Sequence, residues 1–200
     1  ILSSIISTIL LRIKSLNQDR LRTILHTTAS YILAFFLIKY GCDKLFKYQF
    51  YDGAPNTLFT PVGYLSKDIL FWTSMGSSHS YNVFMGLIEI IPGILLLWSR
   101  TRVLGAIISL GVLTNVLALN FGFDITVKIL SSMLVITSLF VLERDAKRLW
   151  QFFIQDSFSR PEIHESIIKK PILKRGIKGF IVSLMIIESL FAYVSAEAWN

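Results

Sequence analysis

An all-α, polytopic membrane protein is what this sequence predicts, on three observations. Hydrophobic side chains make up 53% of the 200 residues and charged ones only 16%. The mean hydropathy is +0.59. Several apolar runs approach the roughly 20 residues that a helix needs to cross a bilayer. Where water is absent, backbone N–H and C=O groups must pair within the segment, so such runs fold as helices. A formal net charge of +7 would suit a nucleic-acid partner in a soluble protein. Here Lys and Arg collect between the apolar runs, as topology determinants do, and no binding motif accompanies them, so no nucleic-acid partner is expected.

Along the chain, Ile1, Leu2, Ile5, Ile6, Ile9, Leu10, Ile13 and Leu16 recur at helical spacing opposite Ser3, Ser4, Ser7, Thr8, Arg12 and Lys14. This predicts an interfacial amphipathic helix over residues 1–22, with the worn end of a further span as the alternative. Opening on Ile instead of Met points to a portion of a longer product. Arg12 and Lys14 follow the apolar run, the reverse of a cleavable signal peptide. Residues 23–150 form the main membrane unit, with spans at about 24–46, 81–98, 103–119 and 125–142. In its outer loop, 47–80, Thr60-Pro61 followed by Leu65, Ile69, Leu70 and Trp72 predicts an N-capped amphipathic helix. Leu149, Trp150, Phe152, Phe153 and Ile154 predict an interfacial helix that Arg160-Pro161 breaks. A basic cytoplasmic connector, 151–178, leads to a fifth transmembrane helix within 179–200.

Arg12, Lys14, Arg20 and Arg22 precede span one, Arg100 and Arg102 join spans two and three, and a cluster from Arg144 to Lys178 joins spans four and five. Simple alternation puts all three clusters on one side. The positive-inside rule then sets the N-terminus in the cytoplasm and the C-terminus outside.

Ionisable groups at membrane depth are costly unless paired or wet, so they mark the candidate site. Lys39, Lys44, Glu89, Asn115, Asn120, Asp124 and Lys128 all fall in the outer half under this topology. Asp124 and Lys128 are an i, i+4 pair in the favoured orientation. Pro92, one turn beyond Glu89, has no N–H for the carbonyl of Ile88 and can kink span two. Two expectations stand side by side: a polar pocket open to the outer face that holds an amphiphile's head group, and a buried ion-pair network that only sets helix register. Gly105 and Ser109 offer a close helix approach. Glu188, halfway along span five, has no evident partner at its depth; it is either neutral, facing another subunit, or paired with Lys or Arg of a partner chain, and a contact with another polypeptide is the expectation.

Cys42 is the only cysteine, which excludes an intrachain disulfide, a CxxC pair and a Cys-rich metal centre. His26, His79 and His164 fall at different levels, so no metal or haem site is expected. Hydrolase, zincin, P-loop and dinucleotide motifs are absent.

The segments KYGCDKLFKYQF, GLIEIIPGILLLWSRTRVLGAII and NVLALNFGFDITVKILSSMLV, in that order over roughly Leu33 to Trp150, resemble the DoxX-like family of small bacterial membrane proteins. That family includes the small subunit of thiosulfate:quinone oxidoreductases. The resemblance implies a DoxX-like four-helix membrane bundle in the bacterial inner membrane, often accessory to redox or envelope functions. This chain adds the fifth span and the basic connector, and it lacks a cysteine pair of the kind a thiol-linked redox member would use.

The function expected is that of an accessory or binding subunit of a larger envelope complex, not catalytic alone. Its outer-leaflet pocket takes a quinone or lipid head group, and its fifth span docks another membrane subunit. The alternative is a quinone-linked redox subunit in which Glu89 or Asp124 handles protons while a partner carries the electron carrier. A small-solute transporter fits less well, because the inner halves of the spans offer no continuous polar path.

Overall fold

The computed structural model describes residues 18–50 and 52–155, together with positions 176, 179–180, 182–184, 186–187 and 194, all helical. The amphipathic run at 1–16, Arg160-Pro161 and Glu188 lie outside the described residues, as does most of the basic connector. Seven helices and no strand occur among the described residues of 18–155: α1 Gln18–Leu45, α2 Pro55–Leu58, α3 Lys67–Gly76, α4 His79–Leu96, α5 Arg102–Gly122, α6 Lys128–Glu143 and α7 Ala146–Ile154.

Leu21–Leu45 of α1, together with α4 and α5, are long and apolar enough to cross a membrane. The fourth expected span is shorter than its sequence suggests. Instead of starting at Ile125, α6 starts at Lys128 and has 16 residues, about 24 Å of helix. Asp124 causes the delay: it takes the left-handed conformation at φ 57°, which ends the helical path and which Asp tolerates better than most residues. The Ile125 N–H then turns back to the Asn120 carbonyl at 2.9 Å.

The four long helices form a ring of contacts: α1 packs on α4 and α6, and α5 packs on α4 and α6. Each inward stripe repeats at three- and four-residue spacing and is rich in small or polar side chains. On α4 it comprises Asn82, Met85, Gly86, Glu89, Pro92, Gly93 and Leu96; on α6, Ser131, Leu134, Ser138 and Val141. Small residues suit helices in lipid, where close packing and interhelical hydrogen bonds replace hydrophobic exclusion. Leu87, Ile91 and Ile94 of α4 and Ile129, Met133 and Ile136 of α6 remain exposed on the outside, so these helices turn apolar side chains outward and most of their small and polar ones toward their neighbours.

Close approach of α1 and α4 depends on glycine. A Cβ at Gly86 would lie 2.7 Å from the Gly41 carbonyl oxygen, and one at Gly41 2.6 Å from Ile90 Cγ1. The expected Gly105 and Ser109 pair is buried on α5, where a Cβ at Gly105 would meet the Pro92 carbonyl at 3.0 Å. α4 runs unbroken through Pro92.

Some boundaries differ from expectation. α1 is already helical at Gln18, so the predicted boundary at residue 22 falls inside it. In the loop, Pro61 leads into a 3-10 turn at Val62–Tyr64 and Leu65 is extended, so the Thr60-Pro61 cap is not formed. The amphipathic helix, α3, begins at Lys67 instead. It brings Phe71 against Phe50, Met85 and Ile125 as a second small core over the ring's loop end. At the opposite end α7 exposes Trp150, Phe152, Phe153 and Ile154.

Candidate functional site

Near the loop end, the register set by Gly41 and Gly86 brings Lys44 of α1 opposite Glu89 of α4. Side chains lean toward their own helix's N-terminus. In an antiparallel pair the two therefore lean toward each other, and Lys44 Nζ reaches Glu89 Oε2 at 2.7 Å. Both residues are buried. Lys44 Nζ also lies 5.6 Å from the centre of the Phe50 ring and 5.9 Å from that of Tyr40, within range for cation–π attraction. One helical turn away, Lys39 Nζ bonds to Asp43 Oδ2 at 2.9 Å, with Asp43 buried. On the far side of the ring, the Asn120 amide of α5 donates to Ser131 Oγ of α6 at 2.9 Å.

Lys44, Glu89, Asn120 and Ser131 line a small cleft between α1, α4, α5 and α6 and the flanking turns. Tyr40, Lys44, Gln49, Glu89, Asn120 and Ser131 form its polar part, and Leu37, Leu113, Val116, Val127, Leu130 and Leu134 its aliphatic part. A second small cleft shares Lys44, Gln49, Val116 and Asn120 with the first. It extends under α3 among Phe50, Phe71, Trp72, Met75, Tyr81 and Met85.

Of the residues expected at the site, Lys44, Glu89 and Asn120 line the first cavity. Lys39 lies beside it, paired with Asp43. Asn115 is exposed on α5 and lines neither cavity. Asp124 and Lys128 pair with each other at the surface, also away from both linings. The hydrogen bond from Lys128 holds the Asp124 carboxyl below the usual carboxylate range. Asp68, at the start of α3, is held low chiefly by the Ser66 hydroxyl.

Four contributors were not anticipated. Asp43 secures Lys39. Tyr40 and Ser131 line the first cavity. Gln49 lines both cavities and carries a buried side-chain oxygen with no hydrogen-bond partner. Helical spacing hints at Tyr40 and Lys44, four apart on one face of α1. Gln49 gives no such hint, because it lies beyond α1. There the Lys47 backbone turns left-handed at φ 58°, and the Gln49 N–H returns to the Asp43 carbonyl at 3.0 Å.

The Arg22 end has a different arrangement. Arg22 and Glu143 are 2.5 Å apart and exposed. His26 is buried and stacked on Phe140 at 4.2 Å, with Nε2 3.3 Å from Glu143 Oε2. Among the described residues no group of three His, Cys, Asp or Glu side chains is placed to hold a metal.

No family model and no solved structure matches the chain. It is 31% identical over 146 residues to the uncharacterized protein YwoB of Bacillus subtilis (strain 168), a match spanning 73% of this chain and 93% of that protein.

Proposed function

The chain belongs to the same family as YwoB, and on that premise we propose that it is a membrane-embedded binding or accessory subunit holding the head group of an amphiphile between its helices. The observation that carries this is the cleft, mainly apolar in its lining, against the buried Lys44–Glu89 pair. Concave sites lined mainly by apolar side chains with a few convergent polar groups are the usual form of small-molecule sites. A purely structural ion pair needs no space beside it. We extend the proposal to a DoxX-like four-helix bundle in the bacterial inner membrane. The Arg22, Arg100, Arg102 and Arg144 end then faces the cytoplasm, and the cavities lie in the outer leaflet, where a quinone or lipid head group is within reach. The fifth span, with Glu188, serves as the contact for another membrane subunit.

Organic extraction and mass spectrometry of the purified protein test the binding. Wild type should carry an amphiphile in near-stoichiometric amount, and Glu89→Gln should lose it while extracting and migrating as a folded protein. Equal lipid profiles from the two would refute the proposal. For the fifth span, Glu188→Leu should weaken co-purification of a partner and leave the four-helix unit intact.

A further inference from the structure

We infer that the Arg22 end of the helix ring carries a second site, separate from the cleft at Lys44, where Arg102 holds the phosphate of an anionic membrane phospholipid. Arg102 is the first residue of α5. Its Nε is buried without a hydrogen-bond partner, and no carboxylate pairs with its guanidinium among the described residues. The ionisable groups within its electrostatic reach are Tyr31, Arg144 and Asp145. Asp145 is already engaged by Arg148 at 2.9 Å, with both side chains largely covered. Arg144 donates to Thr23 Oγ1 at 3.3 Å. Glu143, the neighbouring acid, is held by Arg22 and lies against His26. Arg102, Arg144 and Arg148 thus gather around Asp145, and Arg102 is the one left without a counter-charge.

Arginine cannot shed its proton to relieve that position, and a sheltered cation without a partner is costly. The arrangement therefore calls for an anion. A phosphodiester meets the need, because it stays ionised and its two unesterified oxygens match the guanidinium fork. The start of α5 adds the positive end of a helix dipole beside it. Position identifies the source of the phosphate. Arg102 begins a helix long and apolar enough to cross a membrane, so it sits at the level of the lipid head groups. Trp98 and Trp150 are exposed at the same end, as indoles at a membrane–water boundary are. Next to Arg148, α7 exposes Phe153 and Ile154, the composition of a helix that lies on a lipid surface.

The test titrates the delipidated full chain in detergent with dioleoylphosphatidylglycerol and dioleoylphosphatidylcholine, counting bound lipid by native mass spectrometry. The two share acyl chains and phosphate and differ in net charge. The anionic lipid should bind about five-fold tighter or more, the size that one arginine at an anionic surface supports. Arg102→Gln should bring that ratio near one. Arg100→Gln removes the same charge at an exposed position and should leave most of it. Equal losses from the two variants would mean diffuse surface charge and overturn the site. Thermal unfolding in nanodiscs gives an independent reading. In phosphatidylcholine, Arg102→Gln should melt no lower than wild type, since it removes an unpaired charge; phosphatidylglycerol should raise the wild-type midpoint and leave the variant's unchanged. A variant that melts lower by the same margin in both lipids would make Arg102 purely structural. Inorganic phosphate that stabilises wild type in phosphatidylcholine as well as phosphatidylglycerol does would overturn the lipid as its source. Neither readout involves Glu89, so failure here leaves the binding role proposed above standing.

Discussion

Each end of the helix ring holds an acid on one helix against a base on another, in different surroundings. At the loop end the Lys44 and Glu89 side chains are 5% and 3% exposed; at the other end Arg22 and Glu143 keep 54% and 52% exposure. Both contacts are short, at 2.7 Å and 2.5 Å, so distance does not separate them. Burial does. A buried pair forms at a large desolvation cost and leaves an uncompensated charge when either member is removed, whereas an exposed pair exchanges its partner for water. A costly pair beside a cavity is consistent with binding, and an exposed pair where the basic loops meet is consistent with simple surface stabilisation.

The contrast is most open to challenge at Glu89. Glu89→Leu strands a buried ammonium and should lower stability by about 3–5 kcal/mol, while Lys44→Met combined with Glu89→Leu should recover most of it. Thermal unfolding of the full chain in nanodiscs would show this; a single variant as mild as any change at Glu143 would erase the distinction between the ends.

A smaller loss is expected from the seam that sets the pair's register. Gly86→Ala places a methyl group 2.7 Å from the Gly41 backbone oxygen, and overpacking of this kind costs about 1–3 kcal/mol. Gly111→Ala, which meets nothing within 4 Å, is the matched control and should cause no loss. If both alanines were equally tolerated in the same melt, the glycines would not be what brings Lys44 to Glu89.

The smallest effect belongs to the exposed pair. Glu143→Ala should cost about 0–1 kcal/mol and less as salt rises. A loss above 2 kcal/mol would mean that His26, buried 3.3 Å from the same carboxylate, makes this end more than a surface contact.

Much of the helical layout was legible because hydropathy records depth. Apolar runs located α4 and α5 within a few residues, and α1 except for its earlier start at Gln18, and the exposed Asp124–Lys128 pair was readable because i, i+4 spacing is local. Rotation about each helix axis was not read. Asn115 and Asn120 share a depth, but five residues turn about 140° around a helix, and only Asn120 reaches the cavity. That spacing alone could have separated them. Helices with apolar side chains on both their inward and outward faces carry little directional pattern, so face assignment falls to packing.

The sequence by itself determined that the chain is helical and apolar enough to enter a bilayer, since a lipid environment leaves a backbone few other ways to satisfy its hydrogen bonds. It also placed the charged groups near one level along the helices. Only the tertiary structure decided that Lys44 rather than Lys39 meets Glu89, that Gln49 returns over the end of α1, and that space remains beside them. Those outcomes depend on the register and rotation of separate helices. Both are set by steric contacts such as Gly41 against Gly86, between residues far apart in the chain.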